Sequence, residues 1–125
     1  MESISSNDIQ FLVALNASEE SRLQELYYEF EKWSCDKVLV LDKLRELIQD
    51  GTMLISKPVN DTFSDLTEKQ SLAAVQKWEQ LNTTELMLYL TEAGFARWES
   101  DDWGISTKRA RHLMYSNNGK VTRVR

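Results

Sequence analysis

Apolar residues first recur at helical spacing in Ile9, Leu12 and Val13. With Asn7 or Asp8 as cap and the polar run Asn16-Ala17-Ser18 as its end, they predict a short first helix. A second stripe, Leu23, Leu26, Tyr27, Phe30 and Trp33, predicts a second helix. Asn16 or Ser18 can cap it, and Glu19 and Glu20 fall in its first turn, where the helix dipole favours anions. A third helix starts at Ser34 or Asp36, turns Val40, Leu41, Leu44, Leu47 and Ile48 inward, and stops at Asp50-Gly51, since glycine suits a left-handed C-terminal cap. Met53-Leu54-Ile55 then reads as a short strand. Pro58, followed by Val59-Asn60-Asp61, predicts an exposed loop over residues 57–64. Thr67 with Gln70 forms a capping-box pattern, and Leu72, Val75 and Trp78 mark a fourth helix running to about Gln80.

Residues 86–99 carry two periods in succession. Leu86, Leu88 and Leu90 alternate with Met87, Tyr89 and Thr91, as a strand requires, whereas Phe95 and Trp98 sit three apart on one helical face after Thr91, an N-cap residue type. The segment is therefore a strand-turn-helix joint. Thr91 caps the helix, Gly94 permits close packing on the sheet, and Phe95 and Trp98 enter the core. Further on, Asn118-Gly119 is a strong hairpin turn signal. Leu113 and Tyr115 before it and Val121 and Thr122 after it would supply the strands, although Lys108 to Met114 also fits a helix.

With 125 residues, 42% of them hydrophobic, the chain falls in the size range of one domain. Residues 1–125 are accordingly read as a single domain. The single cysteine, Cys35, excludes an internal disulfide and a four-thiolate zinc site, which fits a reducing compartment. The first eight residues lack the pattern of a signal peptide, and no apolar run approaches the ~18 residues of a membrane span. A soluble cytoplasmic protein is expected, with no membrane association and no cofactor.

Charge divides the chain more sharply than its net value of −5 indicates. Residues 1–102 hold all 20 acids and nine Lys or Arg, a balance of −11, while residues 103–125 hold six Lys or Arg and no acid. The basic segment 103–125 either folds back on the acidic body or leaves that body to meet a basic partner.

Three helices, a strand, an inserted segment, a second strand and a closing helix follow the order of a winged helix-turn-helix domain. The passage 41–55 resembles the recognition-helix-to-wing stretch of bacterial winged-helix proteins. Leu90-Thr91-Glu92-Ala93-Gly94 is similar to the leucine-threonine-x-x-glycine that follows the wing in repressors of the multiple-antibiotic-resistance type. Trp98-Glu99 followed by Asp102-Trp103 resembles paired motifs of small bacterial winged-helix-like proteins. The resemblance implies an α+β fold with helices on a small antiparallel sheet, to which the C-terminal hairpin would be added. The chain departs from the repressor pattern where a basic wing should lie, because residues 67–80 read as a helix there.

A shared fold does not carry function with it, and charge argues against duplex recognition. A DNA reader needs cations on the helix that enters the groove. The third helix instead sets Lys37, Lys43 and Arg45 against Asp36, Asp42, Glu46 and Asp50, a balance of −1. Outside the segment bearing Lys108, Arg109, Arg111, Lys120, Arg123 and Arg125, no basic surface is offered. Catalytic signals are equally thin. His112 has no acid near it in sequence, Cys35 at a helix start reads as a small semi-buried residue, and no phosphate-binding glycine loop or metal-ligand spacing occurs. No enzymatic activity is expected.

An acidic body without catalytic groups suits an antagonist. In size and charge the chain resembles the immunity proteins of contact-dependent growth inhibition and related polymorphic toxin systems, which are small, acidic, cytoplasmic and block basic toxins. The resemblance implies a cognate toxin, of nuclease type, as partner, bound stoichiometrically. Glu19, Glu20, Asp61, Asp65, Glu68, Asp101 and Asp102 are the candidate steering acids, and Tyr28 the candidate aromatic anchor. The alternative is a winged-helix regulator that contacts DNA through Lys43, Arg45 and the basic tail.

Overall fold

A computed structural model describes residues 4–100 and 103–116 of the chain. The first helix, α1 (Ser6–Ser18), is capped by Ser5, whose hydroxyl accepts from the Asp8 N–H while the Asp8 carboxylate accepts from the Ser5 N–H. It is longer and more buried than its i, i+3, i+4 stripe implies. Phe11, Ala14, Leu15 and Ala17 are buried as well as Ile9, Leu12 and Val13, and a helix that is apolar around its circumference belongs inside. It packs against the strand over residues 87–90 and against the helices over residues 37–49, 92–100 and 107–116.

Glu19 and Glu20 do not open the second helix. Glu19 is the C-cap of α1, and Glu20 turns the chain with φ of 54°. Arg22 is extended and bridges Met87: Leu23 N–H donates to Leu86 O at 3.0 Å, and Leu88 N–H donates to Ser21 O at 2.8 Å. Helix α2 (Leu23–Phe30) starts at the end of this pairing, with Arg22 as N-cap and Glu25 in its first turn. Trp33 lies beyond its end but is still buried. Helix α3 (Lys37–Gln49) follows its periodicity: Asp36 caps it by accepting from Val38 N–H, the five expected positions are buried, and Gly51 adopts φ of 83°.

The expected loop over 57–64 is instead mostly strand. β1 (Met53–Val59) and β2 (Thr62–Asp65) form a hairpin around Asn60-Asp61, with Asn60 in the left-handed region at φ of 56°. Pro58 is tolerated because β3 (Met87–Leu90) pairs only with residues 53–56, so one edge of β1 is open where Pro58 lacks its N–H. The sheet is antiparallel, in the order β2-β1-β3. The fold is thus α+β, with helices against a small three-stranded sheet.

Helix α4 (Glu68–Ala74) has the expected Thr67/Gln70 capping box but ends six residues before Gln80. A separate 3₁₀ segment, Trp78–Thr83, turns Trp78 back onto α2, where its ring stacks on Tyr27 at 5.1 Å and its indole N–H donates to Glu31 at 2.7 Å. Tertiary packing of one indole therefore overrides the local helical pattern.

The strand-turn-helix joint is present as β3, Thr91 and α5 (Glu92–Ser100). Thr91 N–H donates to Thr52 O at 3.0 Å, Gly94 N–H donates to the Thr91 hydroxyl at 3.0 Å, and that hydroxyl donates to the Gly51 and Thr52 carbonyls. Gly94 lies so close to the Thr52 carbonyl that a Cβ there would meet its oxygen at 1.9 Å. This approach sets the rotation of α5: Gly94 and Trp98, four apart, face inward, and Phe95, expected in the core, is turned out and 43% exposed. Arg97 lies over the buried Trp103 ring at 4.3 Å and reaches Asp50 at 3.6 Å, tying the joint to the end of α3.

The first strand expected for a C-terminal hairpin does not form. Thr107–Ser116 is helix α6, with Ala110, Leu113 and Met114 buried at three- and four-residue spacing. Asn118-Gly119 and the proposed second strand lie outside the described residues. Helix α6 is clasped to α1 by Arg109, which donates to both carboxylate oxygens of Asp8 at 3.1 and 2.8 Å. Basic and acidic regions do meet, at this pair.

Candidate protein-binding groove

Side-chain alternation gives the sheet two unlike faces. Met53, Ile55, Leu88 and Leu90 point to the helices and are buried. On the other face the register sets Ser56 between Asp65 on β2 and Met87 on β3, Pro58 opposite Phe63, and Leu54 opposite Tyr89. Phe63 is 55% exposed on an edge strand, where a large apolar ring is unusual without a partner.

This face carries two adjoining recesses that share Phe63 and Met87. One, of about 190 Å³, is lined by Glu20, Ser56, Phe63, Asp65, Met87 and Tyr89. The other, of about 210 Å³, is lined by Arg22, Pro58, Phe63, Glu85 and Met87. Each is smaller than the roughly 300 Å³ at which cofactor and ligand pockets begin, and each suits a protruding side chain. Around the pair of recesses stand Glu20, Asp65 and Glu85 against Arg22.

Burial and the acceptor Asp65 push the Tyr89 phenol up to about 12. Its hydroxyl donates to Asp65 Oδ1, which holds the β3 ring against the β2 carboxylate. The Ser56 side chain acts on Tyr89 in the opposite direction, yet Ser56 Oγ, in a residue only 1% exposed, closes no hydrogen bond of ordinary geometry.

Of the acids singled out from sequence, Glu20 and Asp65 come together at this groove, although 45 positions separate them. Asp61 is at the tip of the β1-β2 hairpin, exposed, and Glu68 is exposed in the first turn of α4. Glu19 is half-buried at the end of α1, which removes it from the exposed surface expected for a steering acid. Tyr28 is 58% exposed on α2, edge-on to Tyr27 at 5.4 Å, and does not line the groove. Asp101 and Asp102 lie outside the described residues. Phe63, Ser56, Met87 and Tyr89 were missed by sequence reasoning. The β-alternation of 86–91 does place Met87 and Tyr89 on one face, but nothing local pairs them with Phe63.

The cations of α3 are engaged internally. Arg45 donates to Val75 O at 3.0 Å and bonds Asp42, Lys43 meets Glu46 at 3.6 Å, and Lys37 donates to the Trp33 and Cys35 carbonyls at 3.3 Å. Burial pushes the Cys35 thiol up, against the pull of Lys37, so the helix start does not activate it. Among the described residues no helix is long and apolar enough to cross a membrane.

No protein family, curated protein or solved structure was found to match this chain.

Proposed function

We propose that the chain is a winged-helix-like immunity protein that neutralises a cognate basic toxin, a nuclease in the simplest case, by stoichiometric association in the cytoplasm and without catalysis. The observation that carries this reading is the outer sheet face, where Phe63, Met87 and Tyr89 form an apolar strip bordered by Glu20, Asp65 and Glu85. An exposed aromatic within a polar rim is the usual make-up of a binding hot spot, and the surrounding negative charge steers a basic partner toward it.

Kinship with winged helices is supported by the order of three helices, a β-hairpin and a strand that leads through Thr91 into α5. It is further supported by Arg22, which bridges Met87 of β3 in a short extended link between α1 and α2. In this reading the β1-β2 hairpin stands for the wing, with α4 as an insertion after it. A DNA-reading role for Lys43 and Arg45 is disfavoured, because each would have to leave an intramolecular partner to reach phosphate.

The test is co-expression with the product of the adjacent gene. A one-to-one complex on size exclusion and protection of growth are expected; failure to form a complex or to protect overturns the proposal.

A further inference from the structure

The smaller recess has a floor, walls and a rim of distinct chemistry. Its floor is Ser56, whose hydroxyl is buried and lacks a hydrogen bond of ordinary geometry; such a group ordinarily finds a partner. Its walls are the Phe63 and Tyr89 rings and the Met87 thioether. Its rim holds the carboxylates of Glu20 and Asp65, with Tyr89 donating to one oxygen of Asp65. Arg22 lines the neighbouring recess and not this one.

We infer that this recess is a subsite for a single guanidinium of the partner protein. A guanidinium is flat enough to lie against an aromatic ring, and it presents several N–H donors in a fixed plane. Here those donors match the exposed carboxylates of Glu20 and Asp65 at the rim. An ammonium offers the same charge without the planar stacking surface, and a neutral side chain lacks the charge that matches the rim. The volume of about 190 Å³ admits one such side chain and no larger ligand. The inference rests on the reading of the chain as a binder of a basic protein, and adds which side chain of that protein is held and where.

The subsite is tested on the intact protein with N-acetyl-arginine amide, N-acetyl-lysine amide and N-acetyl-citrulline amide as probes, following the ¹³C-labelled methionine methyls and the tyrosine rings by NMR. The arginine probe should shift the Met87 methyl and the Tyr89 ring saturably. Citrulline, which keeps the shape and loses the charge, should bind about tenfold more weakly, and lysine should fall between. Glu20→Gln and Asp65→Asn should each weaken the arginine response severalfold while the remaining spectrum stays native. Equal responses to arginine and citrulline, shifts that grow linearly without saturating, or insensitivity to both substitutions overturn the inference. Binding of the arginine probe with no complex to the adjacent gene product upholds the subsite and removes the toxin reading. A tight complex unaffected by Glu20→Gln and Asp65→Asn does the reverse.

Discussion

Replacing Gly94 by alanine adds one methyl group at the most crowded backbone contact of the joint between β3 and α5. The new Cβ would stand 1.9 Å from Thr52 O, 3.0 Å from Thr52 C and 3.1 Å from Leu90 Cβ. An ordinary carbon-oxygen contact is about 3.3 Å, so α5 and the Thr52 carbonyl must separate by roughly 1.4 Å. Both contacts with Thr52 are to backbone atoms, which have no rotamer to change. That displacement strains the Thr91 N–H and hydroxyl bonds to Thr52 O, each worth about 1 kcal/mol net, and adds an overpacking cost of about 1–3 kcal/mol. Alanine recovers about 1 kcal/mol of helix propensity. The balance is a loss of about 2–4 kcal/mol, a large part of the roughly 5–15 kcal/mol typical of a domain. Urea unfolding followed by far-UV circular dichroism should show the midpoint falling at unchanged slope, with Tm lower by about 10 °C. Gly51→Ala is the control: it meets nothing within 4 Å and carries only the cost of φ at 83°, so it should lose about 1 kcal/mol. If Gly94→Ala is neutral or stabilising, the close approach of α5 to Thr52 is not what orients Trp98 inward.

Three further expectations follow from the charges. Burial alone would raise the Asp8 carboxyl, but its bonds from Arg109 and Ser5 and the Arg109 charge outweigh that and hold it below the usual value near 3.8. A group depressed on folding contributes stability that is present above its unfolded pKa and lost as pH falls through the folded one. Thermal stability should therefore drop below about pH 4, and Asp8→Asn should flatten that limb while costing about 1–3 kcal/mol at neutral pH. Tyr89, at about 12, should ionise late in an ultraviolet titration, and Asp65→Asn should bring it down. Because the folded phenol is the raised one, its contribution is complete below pH ~10 and disappears as pH rises through the folded value. Glu20→Gly should leave stability unchanged or higher by up to about 1 kcal/mol, because glycine relieves the left-handed backbone at φ of 54°, while it weakens partner binding.

Much of the fold was legible where one local signal sufficed. The α3 stripe with Gly51, the Thr67/Gln70 capping box, and the Thr91 and Gly94 positions all act within a few residues of themselves, and the structure uses them as read. Errors arose where a distant partner decided. Glu20 is left-handed where the chain turns so that Ser21 and Arg22 meet β3, a pairing invisible in residues 16–23. Pro58 with Val59-Asn60-Asp61 reads locally as a loop, but the short β3 leaves Pro58 an open strand edge and Asn60-Asp61 forms only the hairpin turn. Phe95 and Trp98 share a helical spacing, but the approach of Gly94 to Thr52 chose the face. Leu113 and Tyr115 alternate and also fit a helix, and buried Ala110 favours the helix. The groove was the least legible feature: charge counting reached Glu20 and Asp65 as acids, while their company with Ser56, Phe63 and Tyr89 is a product of sheet register.

We propose the outer sheet face as the surface that binds a basic protein. Isothermal titration of the adjacent gene product into the native chain and into a Phe63→Ala, Asp65→Asn double variant tests it most directly. Removing an exposed aromatic and one rim charge leaves the buried core untouched, so the variant should fold normally. The native chain should bind one-to-one with an affinity that weakens with salt, and the variant should bind at least tenfold more weakly. Equal affinity of the two chains, or no binding by the native one, would contradict it.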